Sequence, residues 1–188
     1  MTSLPERPNT AFLIIDVQRD VVAEAHDRDA VIANINVALD RARAAGAPVI
    51  WVQHGDDDLP EGSEGWQYVD ELRRDPSEPL VHKHHGDSFE ETELEELLAE
   101  RAVGHLVVAG AQTDACIRNT LHGALVRGYD ATLVADAHTT DDPSKYGAPL
   151  DASQVIAHTN LYWKYTDAPG RRGDTVTAAE VTFPPHIA

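Results

Sequence analysis

The chain has 188 residues, and 15 lysines and arginines against 32 aspartates and glutamates give a formal net charge of −17. That balance leaves no broad cationic face, which excludes a nucleic-acid backbone or an anionic membrane surface as partner. A content of 42% hydrophobic and 25% charged residues is that of a folded protein, and a single cysteine excludes an internal disulfide. The first element is Ala11-Phe12-Leu13-Ile14-Ile15, a short apolar run ending at Asp16 that reads as a strand buried on both faces. Val31, Ile35, Leu39 and Ala42 then recur at helical spacing until Gly46 stops them. Residues 48–52 are a second strand. The polar stretch 55–79, with three consecutive aspartates, is irregular and of the kind that forms lids and binding loops. Leu80 and Val81 open a third strand that runs into His82, Lys83, His84 and His85. Leu94, Leu97 and Leu98 mark a helix, residues 106–109 a strand, and Ile117, Leu121 and Leu125 a helix ended by Gly128. A fifth strand lies within 131–135, and a helix covers about 151–165. The spacing of Thr177 and Glu180 is a capping-box pattern, which predicts a short helix after a brief strand near Thr175 and Val176.

Solidly apolar strands alternating with helices imply an α/β fold, a three-layer doubly wound sheet of about six mostly parallel strands with helices on both faces. The length is that of one domain, spanning residues 1–188. Residues 1–9 carry no apolar signal segment, and no run approaches the ~20 apolar residues of a membrane span, so a cytoplasmic protein is expected. In such sheets the functional crevice lies beyond the carboxyl ends of the strands.

Those ends carry Asp16 and Gln18 after the first strand, Gln53 and His54 after the second, Lys83 at the third, and Gly110 through Cys116 after the fourth. A lone cysteine is most often a small buried hydrophobe. Here Thr113 is an N-cap candidate, which puts Cys116 at the third helical position, where free N–H groups and the helix dipole favour thiolate. A single aspartate is ordinarily a turn acceptor and a single lysine a solvated charge. Their convergence with the only thiol is what points to a nucleophile with an acid–base partner. The alternation along the third strand sets Lys83 opposite His82 and His84 without saying which set faces inward. His82, His84 and His85 read as a solvated cluster, because two imidazoles without a third ligand make a weak metal site. No glycine-rich fingerprint follows the first strand, so no dinucleotide cofactor is expected, and no metal either. The acidic runs 56–58 and 90–91 read as solvated surface, the latter near a helix start.

Three segments in order resemble the isochorismatase-like cysteine hydrolases: Leu13 to Asp20, then Lys83 with Ser88-Phe89 and Thr92-Glu93-Leu94, then Val108 to Cys116 continued by Gly128-Tyr129 and Asp136-Ala137. The likeness spans about residues 10–136. It implies a Cys116–Asp16–Lys83 triad, a cis peptide between Ala111 and Gln112, and an oxyanion hole from the Gln112 and Cys116 N–H groups. It implies a cofactor-free hydrolase acting on a small-molecule amide, ureido or carbamoyl compound or lactam through a thioester, and a homodimer or larger homo-oligomer. Isochorismatases proper are similar but lack the cysteine, so an ether hydrolase is the alternative, as is a catalytically silent ligand-binding domain. Nicotinamidases carry an Asp-Trp-His metal motif after the second strand. Here His54-Gly55-Asp56 holds ligand-type residues in swapped order, and the metal is not carried over. The stretch from Lys83 to Phe89 is loosely similar to streptothricin hydrolase, which opens a lactam. Gln18, His54, Trp66 and Phe89 are the expected substrate-binding residues, with Tyr68 a further wall. His138, Tyr162 and Trp163 are candidates for the pocket or a subunit contact.

Overall fold

The computed structural model describes residues 2–185. They form strands β1 (Asn9–Ile15), β2 (Val49–His54), β3 (Leu80–Lys83), β4 (Val103–Ala111), β5 (Asp130–Thr139), β6 (Asp167–Ala168) and β7 (Arg171–Val176). The helices are α1 (Arg28–Ala44), α2 (Leu94–Glu100), α3 (Arg118–Arg127) and α4 (Ala152–Lys164). One sheet runs in the order β3-β2-β1-β4-β5-β7-β6. Every pairing is parallel except that of β6 with β7.

Side chains alternate across a strand, and β1 uses the alternation to build two cores at once. Phe12 and Ile14 pack with the α1 residues Ile32, Ile35 and Leu39 on one face. Ala11, Leu13 and Ile15 pack on the other with Leu94 and Leu98 of α2, Leu121 of α3 and Trp163 of α4. From Ala11 to Ile15 both faces are covered and the run is unbroken apolar, while the buried Asn9 and Thr10 at the strand start are hydrogen-bonded to Arg101 and His105.

Two departures from the sequence reading occur at the carboxyl end. The sheet has seven strands where about six were expected, because β6 is a two-residue strand with no apolar run to announce it. Thr177 to Glu180 forms a single turn instead of a helix. The Thr177 hydroxyl donates to Glu180 Oε2 at 2.8 Å, and the Val181 N–H reaches the Thr177 carbonyl at 2.9 Å. The chain then leaves to bury Val181 and Phe183, whose ring meets Phe12 edge-on at 5.8 Å. That packing, followed by Pro184 and Pro185, outweighs the local capping pattern. Glu90 and Glu91 also precede α2 by several residues, and Glu90 pairs with Arg127 at 2.9 Å.

The order of strands reverses between β1 and β4, so their carboxyl ends flank the topological switch point. Ile15 pairs with both Val52 and Gly110, and His54 with Lys83, so the ends of β1 to β4 finish side by side. Gly110 has φ +125°, and a Cβ there would stand 2.0 Å from the Ile15 carbonyl oxygen. Only glycine permits that approach. Gly110→Ala should destabilise the fold by about 2 kcal/mol or more, read as a lowered denaturant midpoint with unchanged slope.

Candidate active site

Each strand end delivers its side chain by a local feature of the backbone. Asp16 follows β1 with φ 52°, a left-handed turn that aspartate tolerates better than most residues, while its N–H still bonds to the Val52 carbonyl at 3.0 Å. Along β3 the exposed His82 alternates with the buried Lys83, and His84 and His85 beyond are exposed too, so the lysine points inward. After β4 the Ala111–Gln112 peptide is cis, and Gln112 is extended at φ −89°, ψ 146°. The first turn is π-helical, Thr113–Ile117, with the Gln112 carbonyl accepting from Ala115 and Ile117 N–H at 3.1 and 3.2 Å. The cap position is therefore Gln112, one residue before the expected Thr113. The Thr113 hydroxyl pairs with His138 Nδ1 at 2.9 Å, and Thr140 donates to Asp114 at 2.6 Å, which pins the turn to β5.

The three side chains meet. Lys83 Nζ lies 2.7 Å from Asp16 Oδ2, with both side chains almost wholly buried, and 3.1 Å from Cys116 Sγ. It also donates to the His85 carbonyl at 3.1 Å and faces His54 Nδ1 at 3.3 Å. The Asp16 carboxylate also hydrogen-bonds the Cys116 side chain. Asp16 and Cys116 line a cleft of about 310 Å³, walled further by Asp20, Val21, His54, Asp56, Asp58, Leu59, Gln112 and Ala115, and the buried Lys83 does not reach it.

Burial dominates the ionisation. It pushes the Asp16 carboxyl above its usual range, against the pull of Lys83. The Lys83 ammonium, penalised by burial, is nevertheless held above its usual value by Asp16 and Cys116. Burial and then the Asp16 charge push the Cys116 thiol up to about 12, against Lys83. The expected thiolate-favouring environment at a helix start is thus overturned: at neutral pH the resting sulfur keeps its proton.

Of the other expected site residues, Gln112 and His54 line the cleft. Gln18 is fully buried and clips two loops together, donating to the His54 and Trp66 carbonyls and accepting from the His54 N–H. Trp66 stacks on His82 at 5.5 Å, and Tyr68 donates to the Val52 carbonyl. Phe89 sits in the core against Tyr129, with the Arg127 guanidinium over its ring. Phe89 is buried, while Trp66 and Tyr68 are half-buried, each packed on a neighbouring ring instead of facing the cleft. His138 and Trp163 are buried, whereas Tyr162 borders a larger hollow of about 520 Å³ between α3 and α4 that holds none of the three converging side chains. Asp20, Asp58 and Leu59 were missed as cleft walls. The strand-exit rule could have reached them, since each lies within five residues of Asp16 or His54.

Among the described residues no cluster of three or more metal-ligating side chains has the geometry to hold a metal ion, and no helix is long and apolar enough to cross a membrane. A mostly parallel α/β sheet thus carries an acid, an ammonium and a thiol together beyond the carboxyl ends of its strands. The Isochorismatase domain matches residues 10–158, and the chain belongs to that family of hydrolases. It is 36% identical to streptothricin hydrolase of Streptomyces noursei, over all of this chain and 72% of that protein. It is 28% identical to ureidoacrylate amidohydrolase of Enterobacter sp. (strain 638), over 73% of this chain and 81% of that one. A crystal structure of an isochorismatase family protein superposes with a TM-score of 0.80 at 30% identity, covering 91% of this chain and 99% of the other.

Removing one partner of a buried ion pair leaves an uncompensated charge. Lys83→Met should therefore cost about 3–5 kcal/mol at neutral pH. Without the lysine, Asp16 binds its proton still more tightly folded than unfolded, so the deficit should shrink as the pH falls. Chemical denaturation of both proteins at pH 5 and pH 8 reads the difference.

Proposed function

We propose that this protein is a cysteine-dependent hydrolase that cleaves a C–N bond of a small amide, ureido or carbamoyl compound, or lactam. The observation that carries this reading is the single ammonium of Lys83 within 2.7 Å of Asp16 and 3.1 Å of Cys116, the latter two lining a cleft. The amide-cleaving names of the two relatives, an amidohydrolase and streptothricin hydrolase, favour the same bond class. A space of about 310 Å³ suits a small substrate.

In this reaction Asp16 takes the thiol proton as sulfur attacks the carbonyl carbon, forming the S–C bond. A thiol held near 12 does not ionise in advance, so transfer and attack proceed together. Burial makes Asp16 a stronger base than an exposed carboxylate, which narrows the gap to the thiol. Lys83 stays charged throughout and offsets the negative charge shared between oxygen and sulfur. The Gln112 and Cys116 N–H groups receive the tetrahedral oxyanion. Collapse breaks the C–N bond, and protonated Asp16 gives its proton to the departing nitrogen. A water then attacks the thioester, losing a proton to Asp16, which returns one to the departing sulfur. The products are an amine or ammonia and a carboxylic or carbamic acid. No step needs a cofactor. We place the domain at residues 1–188, with a small-molecule substrate as partner.

A panel of primary amides, ureas and lactams, followed by ammonia release or mass change, tests the assignment. Wild type should turn over at least one class, and Cys116→Ser and Asp16→Asn should each lose about 10²–10⁴-fold. Because the base must be ionised, kcat/KM should fall as the pH drops through the Asp16 value, which burial raises above the usual carboxylate range. Turnover that survives Cys116→Ser would overturn the mechanism.

A further inference from the structure

The Lys83 ammonium has three protons and four acceptors within 3.3 Å: Asp16 Oδ2, Cys116 Sγ, the His85 carbonyl and His54 Nδ1. One acceptor must go without. Asp16 is the shortest contact and a fellow buried charge, and the His85 carbonyl has no proton to give. The contest for the third N–H is therefore between the imidazole and the sulfur.

The imidazole is prepared for that contest. Its far nitrogen, Nε2, lies 2.9 Å from Asp56 Oδ2. A carboxylate accepts only, so Nε2 carries the hydrogen and Nδ1 presents a lone pair to the ammonium. Asp56 is itself fixed, because its other oxygen accepts from the Asp58 and Leu59 N–H groups at 2.9 and 2.7 Å. The row Asp56–His54–Lys83 thus runs from the first turn of the 55–79 loop to the buried pair. A protonated thiol is a weak acceptor and loses the third N–H to the imidazole, while a thiolate is a strong one and wins it.

We propose that His54, oriented by Asp56, is a positioning residue that holds the third Lys83 proton in the resting enzyme and yields it to Cys116 as the sulfur becomes anionic. This rests on the reading of Cys116 as the nucleophile. It accounts for the swapped order of His54 and Asp56: the imidazole must stand at the strand end to reach the lysine, and the carboxylate two residues on to set its tautomer. An acceptor that competes with the thiolate favours the protonated thiol, so removing it makes the sulfur easier to ionise. The groups facing that sulfur are Asp16 and Lys83, with His54 behind the lysine and Asp20, Asp56 and Asp58 on the cleft walls.

The test needs no substrate. Alkylation of Cys116 by iodoacetamide, followed by mass spectrometry from pH 6 to 10, reads the ionisation directly. His54→Phe should alkylate about 3- to 10-fold faster than wild type at pH 7, because a lost charge-assisted bond is partly replaced by water. Asp56→Asn keeps the loop turn but presents an amide N–H to Nε2. That flips the tautomer and turns Nδ1 into a donor, so the same acceleration is expected. The double variant should exceed neither single one. His54→Asn, whose Oδ1 can take the place of Nδ1, should restore the wild-type profile. Profiles of His54→Phe and Asp56→Asn that superpose on wild type, or slower alkylation, would overturn this proposal and leave the nucleophile reading standing. A wild-type thiol that stays inert across the whole range would overturn both.

Discussion

Lys83 and Asp16 form an ion pair from which water is almost wholly removed, and the rest of the site is arranged around satisfying it. Two charges taken into a protein interior lose hydration worth several kcal/mol each, which mutual attraction restores only with close geometry and further hydrogen bonds. The pair meets that demand by position. Asp16 sits where β1 ends, Lys83 where β3 ends, and β2 between them brings the two ends into line. The two remaining protons of the ammonium are shared among three further acceptors, the His85 carbonyl, the imidazole of His54 and the sulfur of Cys116. The Cys116 thiol in that company is held neutral.

The same constraint explains why the site opens on one side only. β1 and β4 are buried on both faces, so their polar ends can meet a ligand solely beyond the strand termini, at the reversal of strand order. Gln18 is fully buried there because it ties the His54 segment to the Trp66 segment through three hydrogen bonds. Its amide therefore fixes the wall of the cleft without lining it. Carboxylates at Asp20, Asp56 and Asp58 make that wall acidic, in keeping with the charge of the whole chain.

Much of this was legible in the residues. The apolar run before Asp16, the helical stripe from Val31 to Ala42 and the runs around Val52 and Val108 announce a doubly wound sheet, because parallel strands covered on both faces read as near-continuous apolar runs. The strand-exit rule then singles out Asp16, His54, Lys83 and Cys116, which the structure places within a few ångströms of one another. Phe89 and Trp66 were legible only as large rings. Whether a ring packs inward or faces a ligand depends on its neighbours, and here Tyr129, Arg127 and His82 supply them. Thr177 and Glu180 carry a local helix signal that the burial of Phe183 against Phe12 overrides.

The sequence by itself determined the fold class and the chemical types at the strand ends, since both follow from the period of apolar residues and the position of the first polar one after each run. Only the tertiary structure decided the state of the groups. The sulfur looked set for ionisation by its place near a helix start, yet burial beside Asp16 holds its proton on. Desolvation and charge–charge distance are properties of the packed whole, and no spacing along the chain encodes them.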